Sequence, residues 1–383
     1  MRKIMLMAMM LLFTTGVDAQ TNRYVSTTGN DSNDGTTPST AWATINHANS
    51  VVVAGNTVHV APGTYTVTQT IQTTASGTAS ARIRYISDTR WGARVASTGY
   101  NYSTGAGPNY TWYNTGSYVD IVGFDISGDG HIGVYNTGSY VTMSGNNVHN
   151  ILSSDSCAGW THGAAGIDTD QAVNVDIIGN FIHDLGNGGT TPCSSGPHGI
   201  YQAYQGGHIQ NNLVINVQGY NIHLWHDPVG VTVSSNTTRG GYAGILIGGD
   251  TQATSADGNV ITNNIVIEET YYGLREYGWT TSNNQWINNL VYRSGTNVGM
   301  LTDTAVGTII ADPLFVNYTG TSSGDFHLKS TSPAINAGTS LGAPTTDFDG
   351  VTRPQGAGYD IGAYEFVVAG TPNPPTGLTA TAQ

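Results

Sequence analysis

Positive charge is scarce in this sequence. Lys and Arg number 12 against 25 Asp and Glu in 383 residues, for a formal net charge of −13. Such a surface repels phosphate backbones, which argues against a nucleic-acid partner. It also disfavours an anionic partner unless a cation mediates. Lysine is almost missing: after Lys3 the only one is Lys329, so few positions offer a lysine base. Cysteine is limited to Cys157 and Cys193, which leaves a single possible pairing. Long apolar runs are absent beyond the first residues. There, Arg2 and Lys3 precede the run Ile4 to Phe13, at about ten residues too short to span a bilayer. Val17-Asp18-Ala19 places small residues where a signal peptidase cuts, so residues 1–19 read as a secretory signal. The chain is therefore expected to be secreted or at the cell surface, not membrane-inserted. In that setting a Cys157–Cys193 disulfide is the expected state of the two thiols.

What the sequence has in quantity is Gly (51), Tyr (21) and a repeat. Six segments, GNNVHN, GNFIHD, NNLVIN, SNTTRG, NNIVIE and NNLVYR, align on Asn146, Asn180, Asn212, Asn236, Asn264 and Asn289. They recur every 24 to 34 residues with β-branched residues and no helical period. A period of this size predicts a solenoid of β-coils, with the asparagines hydrogen-bonded in a ladder at one turn. The fold class expected is all-β, a right-handed parallel β-helix.

Before each Asn lies a second element, a Gly or Asn followed by an aliphatic residue: GVYNTG, GIDTDQ, GIYQAY, NIHLWH, GILIGG, GLREYG and GMLTDT. Side chains alternate along a strand, so the residues one and three places after the aliphatic position should point outward. The first outward column then reads Tyr135, Asp168, Tyr201, His223, Leu246, Arg275 and Leu301. The second reads Thr137, Asp170, Ala203, Trp225, Gly248, Tyr277 and Asp303. Between them lies an inward position, which would bury Glu276; this demands either a bend or a special role. Acids, His, Tyr, Arg and Trp on one face point to carbohydrate chemistry. His131, His149, His183, His208 and His226 recur near rung positions and read as turn or ladder residues, while His162 lies near Cys157.

Three stretches carry a resemblance. Tyr24 to Ala48 (YVSTTGNDSNDGTTPSTAWATINHA) resembles the opening of bacterial β-helix proteins, including calcium-dependent pectate lyases. The rung motifs resemble the general parallel β-helix repeat. ADPLFVN from Ala311 through RPQGAGYDIGAYEF to Phe366 resembles the closing module of secreted proteins called choice-of-anchor Q. The resulting division is 1–19 signal, 20–310 β-helix with its N-terminal cap, 311–366 closing module and 367–383 linker, whose PNPPTGLTATAQ resembles the first strand of a fibronectin type III module. Asp31, Asn33, Asp34 and Gly35 fit a calcium-binding turn but fit an ordinary turn better.

These features define alternatives for function. A polysaccharide lyase needs a base, an acid and a group that neutralises the uronate carboxylate. Asp168 and Asp170, with Asp227, are candidate ligands for Ca²⁺; His223 or Arg275 is the candidate base, and Tyr201 the acid. Trp225, Tyr277, Tyr135, His198 and Asp227 are candidate substrate contacts. A glycoside hydrolase would instead pair Asp168 with Asp170 or Asp227. A third alternative is a non-catalytic glycan-binding protein. A monomer acting on a polysaccharide is expected.

Overall fold

The computed structural model describes residues 20–101, 104–151, 164–186 and 196–367. Cys157, Cys193, His162, residues 1–19 and the end of the tail lie outside them. The chain winds into a parallel β-helix whose coils each contribute a strand to three sheets; such crossovers are right-handed for L-residues. The first sheet has eleven strands, from Thr21–Val25 and Asn56–Val60 through Val175–Ile178 to Ala305–Val306. The second begins at Gly63–Val67 and runs through Asn147–Ile151, Phe181–Leu185 and Leu213–Val217 to Ile309–Ile310. The third runs from Ile71–Thr73 through Tyr110–Asn114, Ile132–Asn136, Ala165–Thr169, His198–Gln202 and Tyr220–Leu224 to Thr296–Gly299. In two coils the second and third sheets share one long strand each, Thr237–Ile247 and Ile265–Glu276. No helix among the described residues is long and apolar enough to cross a membrane.

The glycine of the second motif has a packing cause. It sits at the corner between the second and third sheets, facing inward. A Cβ on Gly199 would come 2.3 Å from a methyl of Val214, and one on Gly166 would come 2.7 Å from a methyl of Ile182. The next residue turns the corner and also faces in, so Val134, Ile167, Ile200, Ile222, Ile245 and Leu274 stack at 0–1% exposure. Each such burial stabilises the fold by about 1.5–3 kcal/mol.

The asparagine ladder forms as expected. Asn146 Nδ2 donates to Asn180 Oδ1 at 3.0 Å, and the same bond repeats through Asn212, Asn236 and Asn264 to Asn289 at 2.9–3.0 Å. The residue before each ladder asparagine lies in the left-handed region, which favours the Gly or second Asn found at five of the six; Ser235 takes the sixth. The Asn choices do more: Asn211, Asn263 and Asn288 donate to the carbonyls of Thr346 at 2.6 Å, Thr339 at 2.7 Å and Ala337 at 3.0 Å. The doubled asparagine therefore holds the coil with one side chain and residues 311–366 with the other.

Those residues lie along the outer face of the second sheet as a strap. Phe315–Asn317 pairs antiparallel with Asp325–Leu328. Phe315, Phe326, Ile361 and Tyr364 pack on Leu213, Ile215, Ile265 and Leu290. Arg353 donates to Glu365 at 2.9 Å, with both side chains fully buried. Losing either partner would strand a buried charge.

At the N-terminal end, helix Ile45–Val51 covers the first coil, burying Ile45 and Ala48 beside Trp42. Asp31 accepts from the backbone N–H groups of Ala43 at 2.8 Å and Thr44 at 3.0 Å, and Asp34 accepts from that of Thr36 at 3.0 Å. Both carboxylates of the Asp31–Gly35 turn are thus bonded to backbone N–H groups that follow it. Glu276 is fully buried as the alternation requires, and its role is structural. Its carboxylate accepts from Trp286 Nε1 at 2.9 Å and from the backbone N–H groups of Leu301 at 2.7 Å, Thr302 at 2.9 Å and Asp303 at 3.3 Å. It fastens the turn that follows the last rung of the third sheet.

Candidate active site

The outward column of the third sheet is in register. Tyr135 pairs with Asp168, Asp168 with Tyr201, Tyr201 with His223, His223 with Leu246, and Leu246 with Arg275. The expected last member is corrected. Arg275 pairs with Gly299, and Leu274 with Val298. Leu301 lies beyond the strand, and Asp303 turns its carboxylate to Asn284 Nδ2 at 3.0 Å. The corner glycine inferred at 299 is instead an outward position; Asn297 takes the corner.

Outward direction does not mean solvent exposure here. Asp168 is only 7% exposed, and its Oδ1 is buried without a hydrogen-bond partner. Burial, reinforced by the charge of Asp170, pushes its carboxyl up to about 8. Tyr135 donates to Asp170 Oδ2 at 3.2 Å. Tyr201 is half-buried, and that burial, with the charges of Asp168, Asp250 and Asp170, raises its phenol far above the ordinary range. Tyr201 therefore stays protonated at neutral pH.

The two histidines form a unit. His223 Nδ1 lies 3.3 Å from His198 Nδ1, with ring centroids 4.9 Å apart. Desolvation holds His198 near 3, and it drives His223 well below its ordinary value, with the neighbouring histidines adding to the fall. Both rings are neutral at neutral pH, so only one Nδ1 can carry the shared hydrogen. His198 was expected to touch substrate. It is 7% exposed and packed between Tyr201 and Tyr220, beside His223.

Aromatic rings extend on both sides of this centre. Tyr113 and Tyr135 stack at 5.1 Å on neighbouring rungs, with Tyr110 at 4.8 Å from Tyr135. Towards the C-terminal end, Trp225 and Tyr277 stack at 5.9 Å across the intervening rung. The rung between them carries Gly248, where a Cβ would come 2.5 Å from the Trp225 ring. Tyr277 is 55% exposed.

Asp170 stays beside Asp168, but Asp227 accepts from Gln205 Nε2 at 2.7 Å. Among the described residues no three acidic or histidine side chains gather into a metal cage. Asp168 and Asp170 would be two oxygen donors of a calcium site, and the substrate would have to complete it.

Several residues of this face escape the sequence argument. His226, expected to be a turn residue, contacts Asp250 and packs edge-on to Tyr201 at 6.0 Å. Tyr220 stacks on His223 at 4.5 Å. A usable signal existed for Tyr113: the heptapeptide YNTGSYV occurs at 113–119 and again at 135–141, one coil apart. Of the other histidines, His149 stacks on His183 at 5.1 Å, and His208 bonds Asp176 at 2.7 Å, away from this face.

Residues 23–190 match the family model described as the Pel9A-like right-handed β-helix region. A crystal structure of the pectate lyase Pel9A superposes with a TM-score of 0.64 at 18% identity, covering 91% of this chain and 97% of that one. A rhamnogalacturonan lyase follows with a TM-score of 0.49 at 14% identity, covering 81% of this chain and 96% of that one. An alginate lyase from Paenibacillus sp. str. FPU-7 gives 0.44 at 17% identity, covering 68% of this chain and 96% of that one. No curated protein matches the sequence. The family match and the Pel9A superposition establish the fold, a right-handed parallel β-helix.

Proposed function

We propose that the chain is a secreted polysaccharide lyase that cleaves an acidic polysaccharide by β-elimination on the third sheet. The observation that carries this reading is the Tyr201–His223 pair. The two side chains sit on adjacent rungs with ring centroids 5.3 Å apart, in protonation states opposite in use. A neutral imidazole accepts a proton; a protonated phenol donates one. His223 takes the proton from the carbon beside the uronate carboxylate. The bond from the neighbouring ring carbon to the glycosidic oxygen breaks as the sugar double bond forms, and Tyr201 gives its proton to the departing oxygen. This requires the free lone pair of His223 on Nε2, hence its hydrogen on Nδ1, donated to His198. Asp168 and Asp170 would hold a calcium ion, whose positive charge would neutralise the uronate carboxylate. The pectate lyase of like fold supports the reaction class.

A glycoside hydrolase is favoured by one observation, the raised carboxyl of Asp168 beside Asp170, since unequal carboxyls are what acid and base roles require. His223→Ala, Tyr201→Phe and Asp168→Asn, each assayed on a panel of uronate polymers, separate the readings. In the lyase all three lose turnover while keeping their circular dichroism, and chelators reproduce the Asp168→Asn loss. Full activity in His223→Ala and Tyr201→Phe, with loss only in Asp168→Asn and indifference to chelators, overturns the lyase in favour of the hydrolase.

A further inference from the structure

Arg275 has no place in the proton transfers above. It lies two rungs beyond His223, with Leu246 between, or about 10 Å along the helix axis. At that distance it takes no proton from the sugar held at His223. We propose that Arg275 is a separate anion-recognition subsite, which grips a carboxylate two sugar units from the one at His223. The proposal rests on the reading of the third sheet as a polysaccharide track.

Four observations carry it. First, the guanidinium is without an acidic partner among the described residues, in contrast to the arginines that make ion pairs. Arg82 and Arg84 share Asp120, Arg239 and Arg293 share Glu268, and Arg353 holds Glu365. A protein with twice as many acids as bases leaves this cation unneutralised on the face that carries Asp168, Tyr201 and His223. Second, Arg275 Nε is buried with no hydrogen-bond partner, a cost that a bound ligand or water would relieve. Third, the guanidinium is held in an aromatic cradle, 4.3 Å from the Tyr272 ring centroid and 5.8 Å from that of Tyr277. Such rings favour a cation and also offer a flat platform for a sugar. Fourth, the next rung makes room for it. Gly299 stands in register with Arg275, and a Cβ there would come 3.0 Å from Nη1.

The fork of a guanidinium matches a carboxylate in two parallel hydrogen bonds, which a point charge does not reproduce. The residue between the two sites, Leu246, is apolar and only 4% exposed, so the intervening sugar meets no charge from the column. The substrate class follows. It is a polyuronate with acid groups on alternate units at least, so a homopolymer fits and so does an acid–neutral repeat.

The test is a binding measurement in the full-length His223→Ala background, where turnover is blocked. Calorimetric titration uses hexagalacturonate and its carboxyl-reduced counterpart. Arg275→Met is expected to weaken hexagalacturonate binding about 10- to 100-fold, the loss of a charge-assisted pair. Arg275→Lys should recover part of that loss, and both variants should bind the reduced oligomer as the parent does. Equal affinity of Arg275→Met and parent for hexagalacturonate overturns the subsite. So does an equal loss on the reduced oligomer, which would make Arg275 a support for the tyrosines. Where the products show hydrolysis, the same titrations are run in the Asp168→Asn background, the variant whose turnover that reading removes. A parent that binds only the reduced oligomer overturns both the subsite and the acidic-substrate reading.

Discussion

Replacing His198 with Phe tests whether the buried imidazole sets the tautomer of His223. Phenylalanine keeps a flat ring between Tyr201 and Tyr220, whose centroids lie 4.8 and 5.4 Å from that of His198. It removes the Nδ1 that faces His223 Nδ1 at 3.3 Å. A hydrogen bond of this kind contributes about 0.5–1.5 kcal/mol. That loss lowers the tautomer ratio by about 2- to 12-fold; falling to an even mixture, the population with a free Nε2, and with it kcat, drops by about 1.4- to 1.9-fold. KM should hardly change, because His198 does not reach substrate. His198→Asn, which can still accept a hydrogen bond, should restore part of the rate. The tautomer itself is visible by nitrogen NMR of His223 without substrate: Nδ1–H in the parent, a mixture in His198→Phe. An unaltered tautomer together with an unaltered kcat would refute the reasoning.

Other expected outcomes follow from the same structure. Asn212→Ala removes the acceptor of the Asn180 backbone N–H (2.9 Å) and two donors, to Ile177 O and Asn236 Oδ1, so urea unfolding should show a loss of about 2–4 kcal/mol. Glu269 is buried against Asn221 Nδ2 at 2.8 Å, and desolvation raises its carboxyl to about 8. Its raised value means that stability is full below about 4.5 and falls as pH rises towards 8; Glu269→Gln should flatten that slope in midpoint-against-pH plots. His327, bonded to Asp349 at 3.0 Å and Asp325 at 2.6 Å, is raised to about 9. Its contribution to holding the strap is present below 6.5 and lost through 9, so hydrogen exchange in residues 325–349 should quicken over that window more steeply than base catalysis alone accounts for, and His327→Gln should lose that excess.

The coil and its ladder were legible because they repeat. A buried Asn every turn and a two-residue alternation leave a periodic trace, and energetics forbid a one-residue slip that would turn Asp168 into the apolar coil interior and expose Ile167. The last rung was misread because Gly299-Met300 imitates the corner motif. The true corner, Asn297-Val298, fits the same motif two residues earlier, as Asn221-Ile222 does, and Gly299 answers to Arg275. His198 lay at the margin of the site in sequence, yet at its centre in space, since the corner bends its side chain towards His223. Asp250 and His226 belong to turns, whose geometry alternation does not specify. Asp168 stands in register between Tyr135 and Tyr201, and its burial there is a tertiary effect that no spacing records.

The central claim is elimination at Tyr201 and His223. Its most direct measurement is a count of two products in one digest of a uronate polymer: new reducing ends, and new ultraviolet-absorbing unsaturated ends. Elimination predicts one unsaturated end for each new reducing end, with both lost in His223→Ala. Reducing ends that accumulate without any unsaturated ends would contradict the account.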